Sequence, residues 1–279
     1  MSRLNYEYAV HSNSSATKVA RMVGTGKRVL ELGCGPGMIT RLLASQQCKV
    51  TALELDGNAL QVAAKYCETV HICDLNAPNW PIKLIDVEKF DVIVAGDVLE
   101  HLLNPWATAE YLTPLLADDG HIVISLPHAG HNAVIACLFA SDFPYQPWGL
   151  LDRTHIRFFG MHNIQALCEQ AGLKIVEVDY VLKQPEQTEF ARRWRQLPAV
   201  TRLALAANPF GTVYQVVVKA VPTTTPGKGL NLPSLVVSGA AVVSSEPTIV
   251  RLRQYLLSYL NLDTRKRISD ALVRLGLRR

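Results

Sequence analysis

Short runs of valine, isoleucine and leucine recur from about residue 28 to residue 180, and a helix-like pattern separates most of them. Continuous apolar runs, unlike alternating ones, are typical of strands that are buried on both faces of a parallel sheet. The chain is therefore expected to form an α/β fold with a doubly wound sheet, helices covering both faces. The predicted strands are residues 27–32, 49–54, 69–73, 90–95, 120–125, 174–181 and 212–219.

Three segments interrupt this alternation. Residues 126–160 form a long insertion, rich in aromatic residues and histidines, and long loops in α/β folds are usually functional. Residues 221–247 are rich in Pro, Thr, Ser, Gly and Val and are interpreted as a linker. Residues 248–279 carry apolar residues at helical spacing and predict a basic, amphipathic helical tail. Residues 1–220 are expected to form one domain, with the insertion as its lid.

The composition excludes several classes of protein. Hydrophobic residues make up 49% of the 279 residues, but no apolar run reaches the roughly 18 residues of a membrane span. The N-terminus has no apolar leader and the six cysteines include no CxxC pair, so we expect a cytoplasmic protein with reduced thiols. The chain has a net charge of +4, and residues 248–279 contribute +6 through eight basic and two acidic residues. The rest of the chain, residues 1–247, therefore carries −2, which disfavours nucleic acid as its partner.

A glycine-rich turn, ELGCGPG at residues 31–37, joins the first predicted strand to the first helix. Glycines at such a turn let the backbone approach a ligand closely at the carboxyl end of a central strand. The dinucleotide motif GxGxxG would place its third glycine at position 38, which is Met38, and Pro36 lies inside the turn. The pattern therefore disfavours a nicotinamide dinucleotide.

Acidic residues follow the next two strands. Glu54 ends the second strand, where a carboxylate can accept hydrogen bonds from both hydroxyls of a ribose. Asp74 follows the third strand and can accept from an adenine amino group, beside the apolar Leu75. Three such features at the ends of three successive strands predict that the site binds an adenosine without a pyrophosphate.

These motifs together resemble those of the class I S-adenosylmethionine-dependent methyltransferases. VLELGCGPG at 29–37, LELD at 53–56, CDL at 73–75, FDVIVAGDVLEHL at 90–102 and LLADDGHIVIS at 115–125 carry the resemblance. It implies a Rossmann-like sheet of seven strands with the last one antiparallel. It also implies S-adenosylmethionine as cofactor, S-adenosylhomocysteine as product, and a set of cofactor-binding residues: Glu31, Gly33, Cys34, Gly35, Gly37, Glu54, Leu55, Asp74, Leu75, Gly96 and Asp97.

Methyl transfer to a hydroxyl requires a base, and an imidazole can take a proton at neutral pH. His101, His128, His131 and His155 follow predicted strands or lie in the insertion, so each is either a base or a structural residue. The insertion ends in GLLDRTHIRFF, which resembles a segment of methyltransferases similar to the ubiquinone-type O-methyltransferases and those of surface-polysaccharide gene clusters. In those proteins the segment covers the active site, so His155 is our first candidate for the base and His101 the second.

Other residues of the insertion are candidates for binding the acceptor. His128, Arg153 and Arg157 are assigned to the substrate, although Asp152 and Arg157 could instead pin the lid through ion pairs. The aromatic residues of the insertion either line an acceptor pocket or form the core of the lid: Phe143, Tyr145, Trp148, Phe158 and Phe159.

A metal site from Asp97, Glu100 and His101 is chemically reasonable, but no ligand spacing demands one, and we predict none.

The most favoured function is O-methylation of a sugar, glycan or other small-metabolite hydroxyl by in-line transfer with a histidine base. A quinone-type or aromatic O-methyltransferase is the alternative, and a non-catalytic S-adenosylmethionine-binding partner subunit is another. The basic tail is expected to dock on the body, on a partner protein or second copy, or on the inner face of the membrane.

Overall fold

The computed structural model of the protein describes residues 13–84 and 87–237. Seven strands form one sheet in the order β3-β2-β1-β4-β5-β7-β6. The first five strands pair in parallel, whereas β7 runs antiparallel to both of its neighbours, β5 and β6. The predicted doubly wound sheet with an antiparallel last strand is confirmed. The strands are β1 Arg28–Leu32, β2 Lys49–Glu54, β3 Thr69–Ile72, β4 Phe90–Gly96, β5 Leu116–Pro127, β6 Leu173–Leu182 and β7 Val213–Pro222.

Helices cover both faces of this sheet. Neighbouring strand residues such as Val92 and Ile93 point to opposite faces, and each is fully buried under a different helix layer. This two-sided burial explains why the strands are continuously apolar in the sequence. The helices are α1 Ser15–Val23, α2 Met38–Ser45, α3 Gly57–Ala63, α4 Pro105–Glu110, α5 Asn132–Phe139, α6 Met161–Gln170, α7 Ala191–Gln196 and α8 Ala199–Leu205.

The strand register determines which edge of the sheet carries the candidate site. Leu32 at the end of β1 pairs with Leu53 of β2 on one side and with Ala95 of β4 on the other. The residues that follow β1, β2, β3 and β4 therefore emerge together at the carboxyl edge of the sheet. The chain runs outward in opposite directions from β1 and β4, and such a reversal opens a crevice between the two strand ends.

The insertion at residues 126–160 is partly helical. It begins within β5, contains α5, and continues as an irregular segment up to α6. His131 is the N-cap of α5, where its Nδ1 accepts from the amide of Ala133 at 3.1 Å and its Nε2 donates to the carbonyl of Lys183 at 2.9 Å. A second helical insert, α7 and α8, lies between β6 and β7, and the apolar periodicity of the sequence did not reveal it.

The first part of the predicted linker packs on the domain. Leu232 is fully buried and Val237 nearly so, and both belong to the main core cluster. The basic tail at 248–279 lies outside the described residues. Among the helices within residues 13–84 and 87–237, none is long and apolar enough to cross a membrane.

Three of the histidines buried in the described fold should make its stability sensitive to acid. Burial lowers the pKa of His121, His128 and His131 to about 4. Between pH 6.5 and 4 the unfolded chain therefore binds protons that the native chain does not, so these groups lose stability as pH falls. Each lowers the free energy of unfolding by about 1.4 kcal/mol per pH unit in this window.

The variant His121→Gln tests this prediction, because a glutamine amide can still donate to the Met22 carbonyl that His121 Nε2 contacts at 3.0 Å. Burial raises the pKa of Glu31 to about 8, which acts in the opposite direction, so the difference between wild type and variant is the useful quantity. Urea unfolding between pH 7 and pH 4.5 should show a weaker acid dependence for His121→Gln. His162→Gln, at an exposed position on α6, should match the wild type.

Candidate active site

A cleft of about 300 Å³ opens at the carboxyl edge of the sheet, where the strand reversal occurs. It is the region in which the predicted cofactor residues converge. Its walls come from the ends of β1, β2, β3 and β4 and from the turn after β4. The lining residues are Gly33, Glu54, Leu55, Cys73, Asp74, Leu75, Asn76, Asp97, Val98, His101 and Leu102.

The glycine turn forms the floor next to β1. Gly33 has φ +59°, and a Cβ built on it would lie 2.4 Å from Cγ2 of Val98, so a larger residue would be strained and would clash. A Cβ on Gly35 would meet no atom within 4 Å, so the turn faces open space. Cys34 and Glu31 are buried beneath the turn and do not line the cleft.

The carboxylate of Glu54 is held in a fixed orientation. Its Oε2 accepts from the amide of Gly35 at 2.8 Å, and its Oε1 accepts from the amide of Asp56 at 2.9 Å. The side chain is half-buried, and it joins the glycine turn of β1 to the end of β2. Each oxygen keeps lone-pair capacity for further hydrogen-bond donors.

The end of β3 supplies a second acid. Asp74 is exposed, and its Oδ1 accepts from the amide of Asn76 at 2.9 Å. Asn76 in turn accepts from the amide of Leu103 at 2.8 Å, which ties this wall to the turn after β4. Leu75, only 8% exposed, supplies an apolar surface between them.

Asp97, directly after β4, adopts the left-handed region with φ +52°, which is uncommon for a residue with a side chain. Its carboxylate accepts three hydrogen bonds, from Ser125 at 2.6 Å, Gln215 at 3.0 Å and Ser15 at 3.3 Å. These donors come from β5, β7 and α1. A backbone held in an uncommon conformation by surrounding contacts is a frequent feature of functional sites.

His101 lines the cleft on the same turn as Asp97. Its Nδ1 lies 3.1 Å from the carbonyl oxygen of Thr154 in the lid. A carbonyl oxygen only accepts, so Nδ1 carries the hydrogen and a neutral His101 keeps its lone pair on Nε2. The ring of His155 stacks edge-on against His101, with centroids 4.8 Å apart.

His155 is buried behind His101 and is only 9% exposed. Its Nε2 lies 3.9 Å from Oε1 of Glu100, and burial lowers the pKa of the imidazole. Glu100 is itself 1% exposed, and burial raises the pKa of its carboxyl well above the usual range, as does the nearby charge of Asp97. The main-chain oxygen of Glu100 accepts from the amides of Ile156 and Arg157, which closes the lid over this turn.

Glu100, His101 and His155 bring one ligand atom each within 4.8 Å of one another, an arrangement that could hold a divalent ion. This trio contains His155 in place of the Asp97 considered from the sequence with Glu100 and His101, and Asp97 instead accepts from three side-chain donors.

The candidate substrate residues lie in different surroundings. His128 is 3% exposed and its Nδ1 donates to the carbonyl of Val213 at 3.2 Å. Arg157 donates from Nε to the carbonyl of Leu103 at 3.1 Å and stacks over Trp106, so it pins the lid through a carbonyl rather than through Asp152. Arg153 is exposed on the lid. None of the three lines the described cleft.

Comparison with known proteins identifies the family. A family model described as a methyltransferase domain matches residues 8–178, which is more than half of the chain. The chain belongs to the class I S-adenosylmethionine-dependent methyltransferases. A ubiquinone biosynthesis O-methyltransferase of Glaesserella parasuis is 31% identical over 159 residues, 55% of this chain and 67% of that protein.

Solved structures agree on the fold of this methyltransferase. Magnesium protoporphyrin IX methyltransferase from Synechocystis with bound S-adenosylhomocysteine has a TM-score of 0.50 and 16% identity, covering 75% of this chain and 81% of that chain. A (4+2)-cyclase also has a TM-score of 0.50, at 14% identity and with the same coverage. A methyltransferase and a cyclase thus match equally well, so these likenesses show the fold and not the reaction.

The described cleft of the methyltransferase fits S-adenosylmethionine. Glu54 is an oriented carboxylate with capacity for two ribose hydroxyls, and Asp74 and Leu75 offer an acceptor and an apolar wall for a purine. Of the eleven predicted cofactor residues, six line the cleft: Gly33, Glu54, Leu55, Asp74, Leu75 and Asp97. The other five do not line it: Glu31, Cys34, Gly35, Gly37 and Gly96.

Sequence reasoning missed several residues of this site. Val98 and Leu102 line the cleft from within a recognised motif, and their positions in it would have been enough to suggest them. Ser15 and Gln215, which hold Asp97, gave no signal because they lie far from it in the sequence.

The lid of the methyltransferase is fastened by Glu189, between β6 and α7. Its Oε1 accepts from the amide of Leu150 at 2.7 Å, and Oε2 accepts from the hydroxyl of Tyr214 at 3.1 Å. A Cβ on Gly149, where φ is +92°, would lie 2.1 Å from Oε1. The lid segment and the helical insert are therefore packed as one unit.

We expect Glu189→Ala to lower the free energy of unfolding by about 2 kcal/mol, because it leaves two donors in a buried region without an acceptor. Glu189→Gln keeps one acceptor oxygen and should lose roughly half as much. Urea unfolding of both variants measures the difference. Equal stability of the alanine variant and the wild type would show that water replaces the carboxylate.

Proposed function

We propose that this methyltransferase methylates a hydroxyl group of a sugar, a glycan or another small metabolite, with His101 as the base. The observation that carries the proposal is the orientation of His101 in the cleft: its Nδ1 is committed to the lid at Thr154, which leaves the Nε2 lone pair for an acceptor proton. The sequence ranks His155 before His101, and the proposal reverses that order because His155 is buried behind His101.

The proposed cofactor contacts follow the walls of the cleft. Glu54 would accept from the ribose hydroxyls, Asp74 from the adenine amino group, and Leu55 and Leu75 would contact the ring. The glycine turn and Asp97 would hold the methionine part. When bound, S-adenosylmethionine supplies an electrophilic methyl group, so the protein needs only to position the acceptor, exclude water and remove a proton.

Within this proposal, each residue of the turn after β4 has a limited task. His101 Nε2 accepts the hydroxyl proton as the oxygen is alkylated, and the hydrogen bond that Nδ1 donates to the Thr154 carbonyl stabilises the positive charge that appears on the ring. His155 fixes the ring plane of His101 from behind, and Glu100 supports His155. Arg153 and Arg157 remain proposed contacts for an anionic group of the acceptor, and His128 a more distant one.

A quinone-type or aromatic O-methyltransferase is the second candidate, favoured by the ubiquinone biosynthesis relatives. It needs the same cofactor contacts and base and differs in the acceptor alone. We also propose that the reaction needs no metal ion. The test is whether Glu100, His101 and His155 hold an ion that the activity requires.

Calorimetric titration with S-adenosylmethionine and S-adenosylhomocysteine is the first test, followed by methyl-acceptance assays with nucleotide sugars, glycolipids, catechols and quinols. Turnover with a hydroxyl acceptor would support the proposal, and the class of acceptor that is methylated would distinguish the two candidate functions. Binding of both ligands without methylation of any acceptor would favour a non-catalytic partner subunit. An absence of binding by folded protein would overturn the cofactor assignment.

A further inference from the structure

The outer surface of the lid is unusually apolar. Six of the fifteen large hydrophobic side chains that are exposed in the described chain lie within residues 126–160. We call this set the lid face: Leu138, Phe139, Tyr145, Trp148, Ile156 and Phe158. Tyr145 is 60% exposed and Trp148 53% exposed, so they neither form the core of the lid nor line the described cleft.

The lid face rests on a well-packed base. The ring of Phe143 lies edge-on to Tyr145 at 5.2 Å and to Phe158 at 5.3 Å, which gathers the two exposed rings around one half-buried ring. The amide of Asp142 bonds to the carbonyl of Cys137 at 3.1 Å, which sets this cluster beside the end of α5, where Leu138 and Phe139 lie. Glu189 fastens the same segment at Leu150. The exposure is therefore a feature of the folded lid.

Arginines border the lid face. Arg193 of α7 forms an ion pair with Asp142, and Arg192 lines the same surface cleft as Pro144 and Gln146, the neighbours of Tyr145. Arg195 is exposed on the same short helix. Residues 132–160 and 185–205 together contain six arginines against four acids. One arginine and one acid of this set cancel, because Asp142 pairs with Arg193, which leaves five arginines against three acids.

We propose that the lid face, together with the arginines of α7, binds the surface of an anionic phospholipid bilayer. Tyrosine and tryptophan favour the headgroup region because their rings are amphipathic, and phenylalanine and leucine favour the acyl boundary beneath it. Arginines that border such a patch gain from the negative charge of the lipids. The residues outside the tail carry a net charge of −2, so this positive region is local.

Charge also argues against a second copy of the chain as the occupant. A two-fold symmetric dimer through the lid face would place the same patch of both copies together, and with it the α7 arginines of both. Like charges at an interface oppose association, whereas an anionic surface is complementary to them.

Docking by the lid face would bring the cleft close to the bilayer, a consequence that rests on the proposed function. The carbonyl oxygen of Thr154 contacts His101. The preceding residue, Arg153, donates from its amide to the carbonyl of Gln146, which is next to Tyr145 in the chain. The same lid segment thus has one side on His101 and the other side exposed. An amphipathic acceptor with its hydroxyl in the headgroup region could then enter the cleft without leaving the membrane.

Flotation of the full chain with vesicles tests the proposal without any methyl-transfer assay. We expect binding to vesicles of phosphatidylglycerol mixed equally with phosphatidylcholine, and much weaker binding to phosphatidylcholine alone. The double variant Tyr145→Ser, Trp148→Ser should bind at least about tenfold more weakly, because two large apolar groups no longer enter the lipid. Arg192→Gln and Arg195→Gln should each cost about fivefold.

A matched double variant, Ile82→Ser with Tyr111→Ser, removes similarly exposed side chains beside Phe90, at the amino end of β4. It should bind vesicles like the wild type. Urea unfolding midpoints confirm that every variant is folded. Absence of wild-type binding would overturn the proposal, and so would equal binding of wild type and the Tyr145/Trp148 variant, which would move membrane contact to the tail at 248–279. A wild-type dimer that this variant converts to a monomer would overturn it in favour of a second copy.

Discussion

Replacing His101 by asparagine should lower kcat by about 10²–10⁴-fold, the usual contribution of a positioned general base. The amide nitrogen of asparagine lies at the position of Nδ1 and can still donate to the Thr154 carbonyl, so the lid contact is kept while the basic lone pair of Nε2 is lost. The affinity for S-adenosylmethionine should change little, because the proposed ribose and adenine contacts are made elsewhere. Single-turnover rates at saturating cofactor, with calorimetry for binding, separate the two effects.

Two controls accompany the His101 variant. His162→Gln removes an exposed histidine of α6 and should leave the rate unchanged. His155→Gln keeps the buried volume behind His101 approximately filled and should cost less than the loss of the base. A rate for His101→Asn within threefold of the wild type would contradict the assignment of the base.

A metal role for the same residues predicts a different pattern. If Glu100, His101 and His155 hold an essential ion, a chelator should remove the activity of the wild type, and added Mg²⁺, Mn²⁺ or Zn²⁺ should restore it. We expect wild-type activity to survive dialysis against a chelator, and metal analysis of the purified protein to find less than one equivalent. Loss and metal-specific recovery would replace the base mechanism with a metal-assisted one.

The fold was predictable because its determinants are local and repeated. Strands such as β4 are continuously apolar because both of their faces are buried. Val92 and Ile93, neighbours in β4, pack into different core clusters on opposite faces of the sheet. The helices between β6 and β7 escaped prediction because α7 and α8 are short and α7 buries little more than Trp194. The helical part of the lid was missed because α5 is apolar on most sides and lacks a clear period.

The cofactor side of the site was predictable for a related reason: Glu54 and Asp74 each follow a strand, and parallel strands bring their carboxyl ends together. The acceptor side depends on contacts between distant segments. The orientation of His101 is set by Thr154, and the conformation of Asp97 by Ser15 and Gln215, pairs that no local pattern connects. The exposure of Tyr145 and Trp148 was not predictable either, because the sequence of a loop does not indicate whether its aromatic side chains face the core or the solvent.

Glu54 carries the second large expected effect. Glu54→Ala should weaken the binding of both S-adenosylmethionine and S-adenosylhomocysteine by about 100-fold or more, because a hydrogen bond to a charged group contributes about 1.5–3 kcal/mol and two are lost. The amides of Gly35 and Asp56 already fix this carboxylate, so it needs little reorganisation when a ribose binds.

A graded series of Glu54 variants separates the contributions of charge and of hydrogen bonding to the loss of cofactor affinity. Glu54→Gln keeps one acceptor oxygen but has no charge, and its NH₂ group would oppose one of the two backbone donors, so it should fall between the wild type and Glu54→Ala. Glu68→Ala removes a glutamate at the opposite, amino end of β3, where it pairs with Lys49 at 3.9 Å, and should bind both ligands normally. Calorimetry measures all three. An affinity of Glu54→Ala within tenfold of the wild type would mean that the ribose lies elsewhere in the cleft. Asp74 and Asp97 would then be the remaining carboxylates that line the cleft at the strand ends. For Asp97 to receive the ribose, its three side-chain donors would have to yield to the ligand.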